Sequence, residues 1–228
     1  QVTAVPTPDN DTTPEYTFFS TLSGTINYSG DCSSSDNSAD ADNNTITFNA
    51  LSEGLHWNCK ISVTSSSSNL TSDNLSVDNF TIDTTAPSLS QVTTVPTPAN
   101  DSTPSYTFNS SEAGTITYGG NCSSSTTAAT ADNNTITFNA LGDATHANCS
   151  ITVRDNAGNT SSVLSVNSFT IDTTAPTLSQ VTAVSTPDND STPSYTFNSN
   201  EAGTITYGGS CSSSDNSSIN GNNTITFN

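Results

Sequence analysis

The sequence predicts an all-β chain built from tandem sandwich domains, and three observations carry that prediction. The octapeptide FTIDTTAP occurs at Phe80–Pro87 and again at Phe169–Pro176, each time followed by the same long pattern. Apolar residues alternate with polar ones over short runs, at matching positions in every copy, which is the period of a half-buried strand. Cys32 and Cys59 are 27 residues apart, as are Cys122 and Cys149.

Val2, Val92 and Val181 open successive copies, 90 (92 − 2) and 89 (181 − 92) residues apart. Repeats shorter than roughly 50 residues stack into solenoids or propellers, because one repeat cannot bury its own apolar face. A unit of this length can hold its own core, so the copies are read as beads on a string: residues 1–86, 87–175 and 176–228, the third being the first half of a module. Copy one lacks the DTTAP lead-in and copy three stops at Asn228, so the segment is expected to be cut from a longer array.

In copy two the strand runs are Tyr106–Phe108, Gly114–Tyr118, Thr135–Phe138, Cys149–Val153 and Leu164–Ile171. Each is rich in β-branched and aromatic residues and is bounded by Gly, Pro, Asn or Asp. A first strand around Leu89 to Val95 and a short one between Cys122 and Asp132 bring the total to about seven, the number of an immunoglobulin-like sandwich. Side-chain parity supports that topology. Ile116, Tyr118 and Cys122 share one face, and Cys149, Ile151 and Val153 share another, so both cysteines point with the apolar residues of their strands into the core. These strands would be neighbours in one sheet, antiparallel, with the end of one and the start of the other at the same pole. A Cys122–Cys149 bridge there, and a Cys32–Cys59 bridge in copy one, would each contribute roughly 3 kcal/mol. The last strand changes parity between Val166 and Phe169, as copy one does between Val77 and Phe80, and a bulge is expected there.

Composition sets the partners. Two Lys plus Arg against 21 Asp plus Glu give a net charge of −19, which excludes nucleic acid on electrostatic grounds and makes an anionic lipid surface unwelcome. Such a charge with low hydrophobicity also fits disorder, but the periodic pattern outranks bulk composition. No run of about 20 apolar residues could span a membrane, so no membrane contact is expected from this segment. One cysteine pair per module, with no CxxC, reads as structural disulfides in an oxidising, extracellular compartment. Cys211 stands where a third pair would begin, its partner expected beyond the segment. Two Cys and one His per module fall short of a closed zinc site.

With these patterns assembled, the chain resembles the bacterial immunoglobulin-like (Big) tandem repeats of large surface adhesins and biofilm-associated proteins. The residues that carry the resemblance are the DTTAP linkers at Asp83–Pro87 and Asp172–Pro176 and the Asn-Asp-Xaa-Thr-Pro loops at Asn10–Pro14, Asn100–Pro104 and Asn189–Pro193. The DNAGNTS loop at Asp155–Ser161 completes them. Copy one departs from the pattern, with Ser65–Asn69 in place of DNAGN. The resemblance implies Ca²⁺ between modules. In a sandwich the loop between the first two strands shares a pole with the exit of the last strand. The first junction would then gather Asp9, Asn10, Asp11, Asp83, Glu112 and Asp155, and the second Asn100, Asp101, Asp172 and Glu201. Hard oxygen donors of this kind suit Ca²⁺. The competing reading is that these residues only make turns and Asx caps, and Ala99, standing where Asp9 and Asp188 stand in the other copies, weakens the second junction.

No enzyme is expected. His56 and His146 precede the second Cys of each pair, and a feature repeated once per module is structural far more often than catalytic. No nucleophile elbow positions a serine, and Gly119–Gly120 and Gly208–Gly209 read as turns, since a phosphate cradle needs a following helix. Trp57 is expected to pack at the core or its rim rather than to serve as an exposed contact, and the other aromatic residues are assigned to core parity. Sequons such as Asn43, Asn69, Asn100 and Asn133 arise by chance in a chain so rich in Asn, Ser and Thr. The function this implies is a spacer in a secreted bacterial surface adhesin, holding a binding domain away from the cell and touching chiefly neighbouring repeats of its own chain. The alternatives are a subunit of an extracellular filament packed against copies of itself, or a carbohydrate- or ligand-binding sandwich.

Overall fold

The computed structural model describes all 228 residues. It contains 22 strands and no helix, and every strand pair is antiparallel. It divides into two compact units, Gln1–Asp172 and Thr173–Asn228.

Copy one, in the first unit, supplies β1 (Glu15–Phe19), β2 (Gly24–Ser29), β3 (Ser38–Ala39), β4 (Asn43–Thr47), β5 (Gly54–His56), β6 (Lys60–Ser65), β7 (Leu75–Ser76) and β8 (Phe80–Ile82). Copy two supplies β9 (Leu89–Thr93), β10 (Ser105–Ser110), β11 (Gly114–Gly119), β12 (Ala128–Ala129), β13 (Asp132–Thr137), β14 (Ala144–His146), β15 (Ser150–Arg154), β16 (Leu164–Ser165) and β17 (Phe169–Ile171). In copy two the sheets are β13-β10-β9, β12-β11-β15-β16 and β14-β17; in copy one they are β1-β4, β3-β2-β6-β7 and β5-β8. Antiparallel layers facing a shared apolar interior are consistent with a β-sandwich.

Alternation determines which side chains fill that interior. β10 buries Tyr106, Phe108 and Ser110 and turns Ser105 outward. Its register against β13 sets Tyr106 opposite Ile136 and Thr107 opposite Thr135. On the outer face the threonine hydroxyls of that second pair meet at 2.9 Å, as do those of Thr17 and Thr45 in copy one. Each copy in the first unit has its own buried cluster, Val5 to Ile82 in one case and Val95 to Ile171 in the other. Each is threaded by a column of stacked rings: Tyr16, Phe48, Phe80 and His56 at centroid spacings of 6.0, 6.2 and 5.3 Å, and Tyr106, Phe138, Phe169 and His146 at 6.2, 6.1 and 5.4 Å.

The histidines end these columns. Nε2 of His56 lies 2.8 Å from the Ser52 carbonyl and Nε2 of His146 lies 3.1 Å from the Gly142 carbonyl. A carbonyl only accepts, so Nε2 carries the proton. Nδ1 of each ring is buried without a partner. The two copies differ at the opposite end. The Tyr106 hydroxyl donates to Gln91 at 3.3 Å, whereas Gln1, the counterpart of Gln91, donates to Asp78 at 2.6 Å. Copy two has Asn167 in place of Asp78, and the Tyr16 hydroxyl is left buried and unpartnered.

Cys32–Cys59 and Cys122–Cys149 are disulfide-bonded, with Cα–Cα distances of 5.1 and 5.2 Å. The register of β11 on β15 sets Gly119 opposite Ser150, which brings Cys122, just past one strand, beside Cys149, just before the other. The turn between them demands glycine. Gly120 has φ +73°, and a Cβ there would fall 2.0 Å from the Asn148 carbonyl oxygen.

Three expectations need correction. The last strand is not one bulged strand from Leu164 to Ile171 but two, β16 and β17, in different sheets. Both Val166 and Phe169 are buried, and the chain changes partner between them to satisfy both. Trp57 is 65% exposed rather than packed, because it follows the buried His56 and points with Leu55 to the outer side of β5. Phe19, next to the buried Phe18, likewise takes outward parity and is 56% exposed.

The second unit comprises β18 (Leu178–Thr182), β19 (Ser194–Ser199), β20 (Gly203–Thr204), β21 (Ser217–Ser218) and β22 (Gly221–Thr226), in sheets β18-β19-β22 and β20-β21. These are the counterparts of β9 to β13, and the Tyr195↔Ile225 register repeats that of Tyr106↔Ile136.

Candidate metal centre

The acidic residues of the first junction separate into two groups. Asp9 and Asp11 serve their own turn: the Asp9 carboxylate accepts from the Asp11 N–H at 3.1 Å, and the Asp11 carboxylate from the N–H and hydroxyl of Thr13 at 2.8 and 2.9 Å. These are Asx turns. The Asp9 backbone ties this loop to the end of copy one, donating to the Thr81 carbonyl at 3.0 Å and accepting from the Asp83 N–H at 2.9 Å.

Asp83, Glu112 and Asp155 form the second group, each offering a carboxylate oxygen within 4.8 Å of the others. Asp83 leaves β8 at the exit of copy one. Glu112 lies in the turn between β10 and β11, and Asp155 directly follows β15. The Asp155 side chain, 9% exposed, shapes its loop by accepting from the N–H groups of Gly158 and Asn159 at 2.7 and 2.9 Å. Asn159 spans the junction, its amide donating to the Asp155 carboxylate at 3.0 Å and to the Asp83 carbonyl at 2.8 Å. Gly158 takes the left-handed conformation, φ +104°, that side chains rarely adopt, and a Cβ there would fall 2.9 Å from the Arg154 guanidinium and 3.4 Å from the Asn10 amide nitrogen. Asn10 thus lies against the loop of Asp155.

Glu53 was not among the residues expected at this junction. Its carboxylate accepts from the hydroxyls of Thr84 and Thr85 at 2.9 and 2.8 Å, and those two bonds hold its pKa below the usual carboxylate value. The only signal in the sequence was an acid at the same place in copy two, Asp143, ahead of a second Thr-Thr pair in the linker at Thr173–Thr174. Of the other residues assigned to a metal, Asp101 accepts from Thr103 at 2.8 Å in the same turn geometry as Asp11, and the Asp172 N–H donates to the Ala99 carbonyl at 2.9 Å. Asn100 is exposed, and in the second unit the Glu201 backbone N–H donates to the Ser199 hydroxyl at 3.3 Å.

Glu112 bears the electrostatic consequence. Withdrawal from solvent comes first and repulsion from Asp83, Asp155 and Glu53 follows, and together they raise its pKa above the ordinary 4.5. Over the pH range just above 4.5 the folded chain therefore retains a proton that the unfolded chain has released. Stability falls as pH rises through that window, the reverse of a salt-bridged carboxylate. Thermal melts in chelator between about pH 4.5 and 6.5 should show that decline, and Glu112→Gln should flatten it and raise the melting temperature at neutral pH. A slope that persists in the variant would assign it elsewhere. The donor set is hard and anionic, three carboxylates, and Ca²⁺ binds oxygens of this type, six to eight at a time. Copy one has Leu22 and Ser65 where copy two has Glu112 and Asp155, so its corresponding pole cannot supply these ligands.

No family model matches the chain, and no curated protein matches it significantly. Among solved structures it is similar to invasin, a bacterial integrin-binding protein, at 12% identity and a TM-score of 0.33, over 98% of this chain and 52% of that one. The chain thus spans about half the length of that structure. A superposition this loose establishes neither family nor architecture.

Proposed function

We propose that the chain is a mechanical spacer: tandem immunoglobulin-like sandwiches that hold a binding domain away from a bacterial surface, with Ca²⁺ stiffening the junction between successive copies. The observation that carries the reading is the convergence of Asp83, at the exit of one copy, with Glu112 and Asp155 of the next. The linker is also held from both sides, by Glu53 through Thr84 and Thr85 and by Asn159 through the Asp83 carbonyl. Such a junction resists bending. Disulfides in both complete copies fit an oxidising location outside the cell. The charge of −19 keeps near-identical modules on neighbouring chains from associating. The action is mechanical rather than chemical, and the partners are adjacent repeats.

In this reading Asp83, Glu112 and Asp155 hold the ion with the Asn10 amide as a further donor, and the ion supplies the positive charge that the cluster lacks. At a Ca²⁺ concentration about 100 times its Kd, stabilisation of about 2.7 kcal/mol should raise the melting temperature of the first unit by roughly 5–10 °C. Glu112→Gln with Asp83→Asn should abolish that rise. Small-angle scattering should show a stiffer particle in Ca²⁺ than in chelator. Equal melting temperature and equal maximum dimension in the two buffers would sink the calcium junction, and sedimentation as a regular polymer would overturn the spacer itself.

A further inference from the structure

The chain has a single Trp and a single Lys, and they stand close together in copy one as Trp57 and Lys60, with the exposed Leu55 just ahead of them. Copy two carries Thr145, Ala147 and Ser150 at the places of Leu55, Trp57 and Lys60. The three large side chains are therefore peculiar to copy one. They share the outer side of the chain, since His56, Cys59 and Ile61, which alternate with them, are buried. Lys60 lies exposed in the sheet β3-β2-β6-β7, opposite Ser29 of β2 on one side and Ser76 of β7 on the other.

The backbone under the indole is pinned. The Asp31 N–H donates to Oδ1 of Asn58 at 2.9 Å, the Asn58 amide donates back to Oδ1 of Asp31 at 3.2 Å, and the Cys32–Cys59 bond closes the same corner. Copy two keeps the first of these bonds, from the Asn121 N–H to Asn148, and has neither the carboxylate nor the indole. Copy one thus adds both groups to a corner that holds its shape without them. Asp31 is exposed, and its bridge to Asn58 engages one carboxylate oxygen and leaves the other for a further donor. Groups held in place beforehand lose little freedom on binding.

Charge and size decide what such a face can take. A net charge of −19 repels polyanions, and Lys60 opposes the cations that an indole would otherwise attract. A protein partner is too large, because two large apolar side chains are far short of the roughly 800 Å² that each side of a specific protein interface buries. What fits is an uncharged molecule with an apolar face and a rim of hydroxyls, which can donate to the Asp31 carboxylate and accept from the Asn58 amide and the Lys60 ammonium. A pyranose ring has that form. The indole stands on an open sheet surface rather than in a pocket, which suits an extended chain of rings whose hydroxyls are all equatorial, so that both faces of each ring are bare C–H.

We infer that copy one carries a glycan-binding face, on which a ring of an uncharged glucan chain of the cellulose type stacks on Trp57 and bonds to Asp31, Asn58 and Lys60. This face acts independently of the spacer and of calcium. Trp57 is its own reporter, since the chain has no other indole. Titration of the full chain with millimolar cellohexaose should move the emission to shorter wavelength and saturate, and saturation-transfer NMR should place the C–H protons of the sugar against the protein. Maltohexaose, whose chain coils, should leave the emission unchanged at the same concentration. Trp57→Ala should abolish the transfer, and Asp31→Asn should weaken binding about tenfold, the worth of one hydrogen bond to a charged group. Both variants install the residue that copy two has at that place, so the fold accepts them. Equal binding of maltohexaose, tighter binding of polygalacturonate or oligolysine, transfer that survives Trp57→Ala, self-association that depends on Trp57, or no response to cellohexaose would each overturn the inference.

Discussion

Phe169→Ala is expected to cost copy two about 3–5 kcal/mol. The ring is 1% exposed and stands between Phe138 at 6.1 Å and His146 at 5.4 Å, so its removal opens the column in the middle rather than at a rim. Little can relax into the space. β17 is three residues long and is held between the equally short β14 and a bridge to Ala99, and His146 is fixed by its bond to the Gly142 carbonyl. Urea unfolding read by hydrogen exchange at Ile151 and Val153 would measure it. A loss below about 1 kcal/mol, the scale of a surface change, would show that the column is not what holds copy two together.

Much of this architecture was legible in the chain because period-two alternation is a local signal. Tyr106 and Phe108 announce the buried face of β10, and the threonines between them its wet face. The pairing of Cys122 with Cys149 followed from parity and pole, both of which need only strand direction. What escaped was decided by partners distant in sequence. β14 and β17 are too short to alternate visibly, and each exists because the other lies beside it. The break between Val166 and Phe169 reads equally well as a bulge until the two halves are seen in different sheets. Trp57 and Phe19 show the limit of composition, since an aromatic residue next to a buried one inherits the outer face whatever its hydrophobicity. At the junction, the pole argument brought Asp83, Glu112 and Asp155 together. It failed for Asp9 and Asp11, whose carboxylates find N–H donors two residues away before any longer-range partner. Glu53 was missed because its partners are threonines, which advertise nothing.

Removing the bridge of copy two as a pair, Cys122→Ala with Cys149→Ala, should destabilise that copy by about 3.5 kcal/mol in the chain-entropy model, for a closed loop of about 28 residues. The native state loses little else. Both cysteines are under 5% exposed, and alanine leaves the neighbouring turn intact, with Gly120 still in its positive-φ conformation and Asn148 still accepting from the Asn121 N–H at 3.2 Å. The cost therefore arises chiefly in the unfolded chain, which regains the freedom that the loop had removed. That distinction can be measured. Under a denaturant ramp the unfolding midpoint should fall while the m-value rises, because a chain without the cross-link exposes more surface when it unfolds. Phe169→Ala, acting on the folded core, should lower the midpoint with m unchanged. If the double alanine variant matched Phe169→Ala in both midpoint and m, the disulfide would be acting as a packing element of the core, and a stretched module would gain no protection from its bridge once that core had opened.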